Sequence, residues 1–224
     1  MPVRAVVFDR DGVLTSFDVA AATRYLLQVA PLTPYDLVRV WEEHGRAQGF
    51  PTSLAAEHAF FQSYWARVCT TFAVPAAQQH ILYSLDYTHY VRAFPEAPAV
   101  LAGLHDAGLR IGVLSNFALA SLDASLAAAG LAGWIDATAA ATVIGAAKPA
   151  AAAYHAILAR LDAAAAETIY CDDEPHLVAG AAQVGLHAFL VDRRHAAADF
   201  AAGVIASLAD VPALIDWLNK TEAG

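Results

Sequence analysis

Four short apolar runs punctuate the chain, at residues 4–8, 110–114, 168–171 and 187–191, and each ends abruptly at polar residues. A continuous apolar run of that length reads as a strand buried on both faces, as in a parallel sheet. Helical stretches fall between and after them, at residues 96–106, 119–129, 150–161 and 177–184, and a fifth strand is expected within 135–143. Such alternation predicts an α/β fold, a doubly wound, Rossmann-like parallel sheet.

Residues 18–92 break the alternation: the stretch holds no strand pattern and is helical throughout. Phe60, Phe61, Tyr64, Trp65, Val68 and Phe72 recur at helical spacing, which predicts an aromatic core face rather than a ligand box. Pro95 and Pro98 mark the return to the sheet. The organisation expected is therefore a sheet domain of residues 1–17 and 93–224 with a helical cap domain, residues 18–92, inserted after the first strand. Residues 43–49, Glu-His-Gly-Arg-Ala-Gln-Gly, read as a specificity loop whose glycines let it bend over a site, with Arg46 most simply a solvated surface arginine.

Composition narrows the functions open to such a fold. With 58% hydrophobic residues in 224, a sizeable core is available and global disorder is excluded. Thirteen Lys and Arg against 22 acidic residues leave a net charge of −9, without a basic run, which argues against a nucleic-acid surface. The alanine-rich run at 137–147 is short and interrupted by Thr and Gly, so no membrane span is expected. The apolar stretch before Asp9 is too short for a signal peptide, and Cys69 and Cys171 form no framework, so a reducing cytoplasm is the expected location.

In open α/β sheets ligands gather at the carboxyl ends of the strands. There the chain places Asp9 and Asp11 with a turn at Gly12, then Ser115-Asn116, then Lys148-Pro149 at a helix start, then Asp172-Asp173. This set suits phosphoryl transfer through aspartate. One carboxylate attacks and divides hydrolysis into two easier steps, while a second, protonated, serves the leaving alcohol. A hard cation such as Mg2+ bridges carboxylates to phosphate, and a hydroxyl and an ammonium cradle the equatorial oxygens. With Asp9, Asp172 and Asp173 ionised and Asp11 protonated the site carries −3, which one Mg2+ and Lys148 would balance; the chain's other lysine, Lys220, lies near its terminus.

The strings FDRDGVLT, VLSN, GAAKP and YCDDEPHLVAGAAQVGL, in this order, resemble the four motifs of the haloacid dehalogenase superfamily, and the spacing covers nearly the whole chain. The insertion sits where subfamily I members carry a cap that closes over the site and selects the substrate. The resemblance implies a phosphatase acting on a small phosphorylated metabolite, with Asp9 as nucleophile and metal ligand. It makes Asp11 the general acid/base, with its backbone carbonyl on Mg2+. Ser115, by its hydroxyl, and the backbone amide of Asn116 would bind phosphoryl oxygens, and Lys148 would steady the charge.

Counting back twelve from Gly185 puts the usual acidic metal position at Asp173, with Asp172 in or just behind the metal's coordination sphere; four residues on, the usual Asp or Asn is Leu177. Arg10 is expected to point away from both aspartates and to have no role, if strand alternation persists. His176 reads as a helix-start residue and Cys171 as a small core residue. A 2-haloacid dehalogenase, or a partner-binding protein without catalysis, are the alternatives on this fold. Oligomeric state is left open by the sequence.

Overall fold

The computed structural model describes residues 2–117 and 119–221. Ala118 and the outermost ends of the expected sheet domain, residue 1 and residues 222–224, lie outside the described residues. The main sheet has six strands: β1 Ala5–Phe8, β4 Arg110–Ser115, β5 Ala137–Ala140, β6 Thr168–Asp172, β7 His187–Val191 and β8 Val204–Ile205, in the order β5-β4-β1-β6-β7-β8. Every pairing between these strands is parallel. The expected fold class is the one observed, and β5 falls inside the window expected for the fifth strand.

Strand β1 shows why a continuous apolar run was needed. All four of its residues are fully buried, and successive side chains leave opposite faces of the sheet. Val6 and Phe8 pack with Ile111 and Val113 against α5 (Ala97–Asp106), α6 (Leu122–Ala128) and α10 (Val211–Thr221). Ala5 and Val7 pack on the other face with α8 (Ala151–Leu161) and α9 (Pro175–Gln183), where Tyr154, Ile157 and Ala181 are buried. The short α7 (Ala141–Ile144) follows β5 directly.

Between β1 and α5 the chain builds a separate apolar cluster from α1 (Val19–Leu26), α2 (Pro34–Gln48), α3 (Leu54–Thr71) and α4 (Ala76–Tyr83). Phe60, Tyr64, Trp65 and Val68 are buried in it, with Phe61 and Phe72 packed against them, as the helical spacing predicted. These helices are bracketed by a two-stranded antiparallel ribbon, β2 Thr15–Phe17 with β3 Val91–Ala93. The helical pattern expected up to residue 92 therefore ends earlier, at β3. Three-residue strands with polar Ser16 and Arg92 paired across them carry too little periodicity to be read from sequence.

One expectation is overturned here. Residues 43–49 form no loop over a site: residues 43–48 are the last turns of α2, and Gly49 caps its C-terminus. The helix begins with a capping box between Thr33 and Asp36 and with Pro34 at its first turn. Gly45 does not bend it. A Cβ there would lie 1.9 Å from the Phe50 ring, so the glycine lets that ring pack against the helix. Arg46 pairs with Glu42 one turn away at 2.9 Å and faces solvent, as a surface arginine does. Among the described residues no helix is long and apolar enough to cross a membrane.

Candidate active site

Strands β4, β1 and β6 are adjacent, so their carboxyl ends bring Ser115, Asp9 and Asp172 to one edge of the sheet. Lys148 arrives from the segment before α8 and is itself 4% exposed. Its Nζ donates to Asp9 Oδ1 and to Asp172 Oδ2, each at 2.7 Å. Asp172 is fully buried; its Oδ2 also accepts the Tyr170 hydroxyl, and its Oδ1 accepts the Glu174 backbone N–H at 2.9 Å. Tyr170 and Asp172 are two apart on one strand and so share a face, and that spacing is the sequence signal for their pairing.

Asp9, Asp172 and Asp173 each offer a carboxylate oxygen within 4.8 Å of the others. Two buried carboxylates share one ammonium, which leaves uncompensated negative charge. Burial pushes the Asp9 carboxyl up, to about 7; the Lys148 ammonium opposes this and the Asp172 carboxylate adds to it. Asp173 is also raised, by burial first and then by Asp172. An oxygen-only donor set with excess negative charge fits a hard divalent cation such as Mg2+. Asp173 is exposed, whereas both oxygens of Asp172 are already engaged by protein donors.

Ser115 is 2% exposed, and its Oγ accepts the Phe117 backbone N–H at 3.1 Å. Asn116 uses its side chain in a way the sequence did not suggest. Its Nδ2 donates to the Lys148 carbonyl at 3.0 Å and its Oδ1 accepts the Lys148 N–H at 2.8 Å, which ties the β4 loop to the lysine's backbone.

Asp11 stands outside the carboxylate group, and the expectation for Arg10 is overturned. The strand ends at Phe8, so period-two alternation no longer governs the turn that follows. Arg10 is 4% exposed and donates from Nε and Nη2 to Asp11 Oδ2, at 3.1 and 2.5 Å. The turn itself is held by the N–H groups of Leu14 and Thr15 on the Arg10 carbonyl. From outside it is braced by Arg193, whose Nη2 donates to the Val13 carbonyl at 2.9 Å. Nothing in the local sequence links Arg193 to a turn 180 residues earlier.

Gly12 is required at this turn for two reasons: its φ is +79°, and a Cβ would sit 2.1 Å from Asp173 Oδ2. Gly12→Ala is therefore expected to lower stability by about 1–2 kcal/mol from the left-handed backbone alone, and to displace Asp173. A thermal melt checks the first part, and an unchanged midpoint would contradict it.

Other expected residues fall where the sequence placed them. His176 is the second residue of α9, exposed and 3.6 Å from Glu174. Cys171 is fully buried, its thiol pushed far above the ordinary range by burial. Leu177 is 2% exposed in the core, and its carbonyl accepts the Tyr154 hydroxyl at 2.7 Å, so that position supplies no polar side chain.

Helices of the inserted segment reach this region. Glu57 of α3 accepts the Ser121 hydroxyl at 2.6 Å, Ser121 also lies 3.3 Å from the Tyr87 hydroxyl, and the Tyr87 and Phe117 rings are 5.6 Å apart.

The sequence model of the haloacid dehalogenase-like hydrolases matches residues 3–185. A curated relative, Phosphatase MT3486 of Mycobacterium tuberculosis (strain CDC 1551 / Oshkosh), is 32% identical over 222 residues, 96% of this chain and 98% of that one. Among solved structures, the L-2-haloacid dehalogenase from Xanthobacter autotrophicus with chloropropionic acid covalently bound superposes with a TM-score of 0.66 at 21% identity, covering 96% of this chain and 98% of that one. The HAD phosphatase from Thermococcus onnurineus superposes with a TM-score of 0.63 at 20% identity, covering 95% and 98%. At those identities the two structures speak to the fold alone.

Proposed function

The chain belongs to the haloacid dehalogenase-like hydrolases, and from that premise we propose that it is a Mg2+-dependent phosphatase of small phosphorylated metabolites. The observation that carries this reading is Lys148, held between Asp9 and Asp172 beside Asp173 at the sheet edge. Asp9 attacks phosphorus, the bond to the leaving oxygen breaks, and an aspartyl-phosphate forms that water then hydrolyses. Asp11 gives a proton to the departing alkoxide and takes one from the attacking water. The Ser115 hydroxyl and the backbone amide of Asn116 hold phosphoryl oxygens, and Lys148 offsets their charge.

Asp9, Asp173 and the backbone carbonyl of Asp11 would hold Mg2+, which when bound supplies positive charge against the carboxylates and the phosphoryl group. Asp172, with its oxygens engaged by protein donors, orients Lys148. The helices within residues 18–92 act as the cap, which touches the segment after β4 through Glu57 with Ser121 and Tyr87 with Phe117. A 2-haloacid dehalogenase shares the fold, but displacing a halide needs no proton, which leaves Asp11 without work.

The test is a panel of phosphomonoesters and 2-haloacids, with phosphate and halide both measured. Phosphate release from at least one ester, stopped by EDTA and restored by Mg2+, is the expected result. Halide release without phosphate from any ester would overturn the reading.

A further inference from the structure

Arg10 is a buried cation beside Asp11 for which the proposed reaction has so far needed no role. Its guanidinium is fixed from several directions. The carbon Cζ lies 3.8 Å from the centre of the Phe117 ring, and Nη1 donates to Ser125 Oγ at 2.9 Å. Ser125 is itself fully buried and donates to the Leu122 carbonyl at 2.7 Å, so it offers Arg10 a stationary acceptor. A planar guanidinium stacked on a ring and bonded at one end keeps little freedom at the other.

What that fixed group touches is Asp11, and it does so on one side only. Nε and Nη2 both donate to Oδ2, whereas Oδ1 accepts no hydrogen bond among the described residues. The Asp11 side chain is 53% exposed, so the free oxygen is open to solvent and to a substrate. A carboxylate anchored through one oxygen presents the other at a defined place. A neighbour without a forked donor leaves the same carboxylate to rotate among several positions.

We infer that Arg10 is a positioning residue for proton transfer: it anchors Asp11 through Oδ2 so that Oδ1 meets the leaving-group oxygen. The inference rests on the phosphatase reading and on Asp11 as its acid. Phe117 adds a consequence. Its ring touches both the Arg10 guanidinium and the Tyr87 ring, so the anchor is packed against the inserted segment as well as against the sheet domain. Its N–H bonds Ser115 Oγ, so the ring that carries Arg10 and the phosphoryl-binding hydroxyl belong to one loop.

The dependence on leaving group separates positioning of an acid from a general structural role. An alkyl phosphate needs a proton on its departing oxygen, whereas p-nitrophenyl phosphate expels a stable phenolate without one. The quantity to compare is kcat/KM, which reports the steps up to and including the first irreversible one, here phosphorylation of Asp9. It excludes the later hydrolysis, where Asp11 would act whatever the leaving group. Arg10→Met is expected to lower kcat/KM for the best alkyl phosphate of the panel by about 10- to 100-fold, and for p-nitrophenyl phosphate by less than about threefold.

Arg10→Lys keeps the charge but not the fork, and should recover only part of the loss. In an Asp11→Asn background, Arg10→Met should leave the ratio between the two substrates unchanged, because the group it positions is gone. Equal losses on both substrates, or a change of ratio that persists without Asp11, would overturn the inference while leaving the phosphatase reading intact. If Arg10→Met fails to fold, the Arg10→Lys ratio decides alone: an unchanged ratio overturns the inference and a lowered one supports it. A parent protein that releases phosphate from no ester would sink both.

Discussion

Replacing Asp9 by asparagine is expected to abolish turnover while leaving the fold intact. An amide has no nucleophilic oxygen able to form the acyl-phosphate, so no residual covalent route remains. The substitution is close to isosteric, and the amide oxygen can still accept the Lys148 ammonium that Asp9 Oδ1 accepts at 2.7 Å. Stability should move the other way from activity. Burial raises the Asp9 carboxyl from its ordinary 3.8 to about 7, so the folded protein holds that proton more tightly than the unfolded chain does. Folding is therefore penalised progressively as pH rises from the lower value to the higher one. Asp9→Asn removes the penalty and leaves Lys148 and Asp172 as a neutral pair. In metal-free buffer at neutral pH the variant should melt at or above the parent, with the difference closing below the ordinary carboxylate range. Parental turnover in the variant would exclude Asp9 as nucleophile, and a melting point well below the parent's would contradict the account of its burial.

The adjacent aspartates at the end of β6 should separate into two different phenotypes. Asp173 is the exposed one and has a raised carboxyl; Asp173→Ala takes away a proposed direct ligand and should raise the Mg2+ requirement steeply with little change in stability. Asp172→Ala acts through the protein. It strips Lys148 of one of its two acceptors and leaves the buried Tyr170 hydroxyl without its partner, at a cost of about 1–3 kcal/mol. Lys148 keeps Asp9, which limits the loss. Activity should fall by about 10–100-fold through a loosened lysine, with the Mg2+ requirement near that of the parent. Mg2+ titrations and thermal melts of both variants test the division. If Asp172→Ala removes the metal response and Asp173→Ala keeps it, the two assignments are reversed.

The parts of this protein legible in its sequence are those governed by local pattern. Runs such as Ala5–Phe8 had to be strands of a covered sheet, because all four side chains are apolar and a strand exposes residues alternately to two faces. Strand ends then identified where Asp9, Ser115 and Asp172 would meet, and the glycine after Asp11 marked the turn. Tertiary structure decided what local pattern does not encode. It brought Lys148 between two carboxylates from β1 and β6, engaged both oxygens of Asp172, and set Asn116 to clamp the lysine's backbone. It turned Arg10 onto Asp11, because the chain leaves its strand one residue before Asp9 and alternation stops there. It kept residues 43–48 helical, because the space beside Gly45 is occupied by the ring of Phe50 and the glycine is not used as a hinge. Each of these depends on a partner distant in the chain or on a turn without a period. Hydrophobic spacing records which face of an element is buried, and not which side chain waits on the other side.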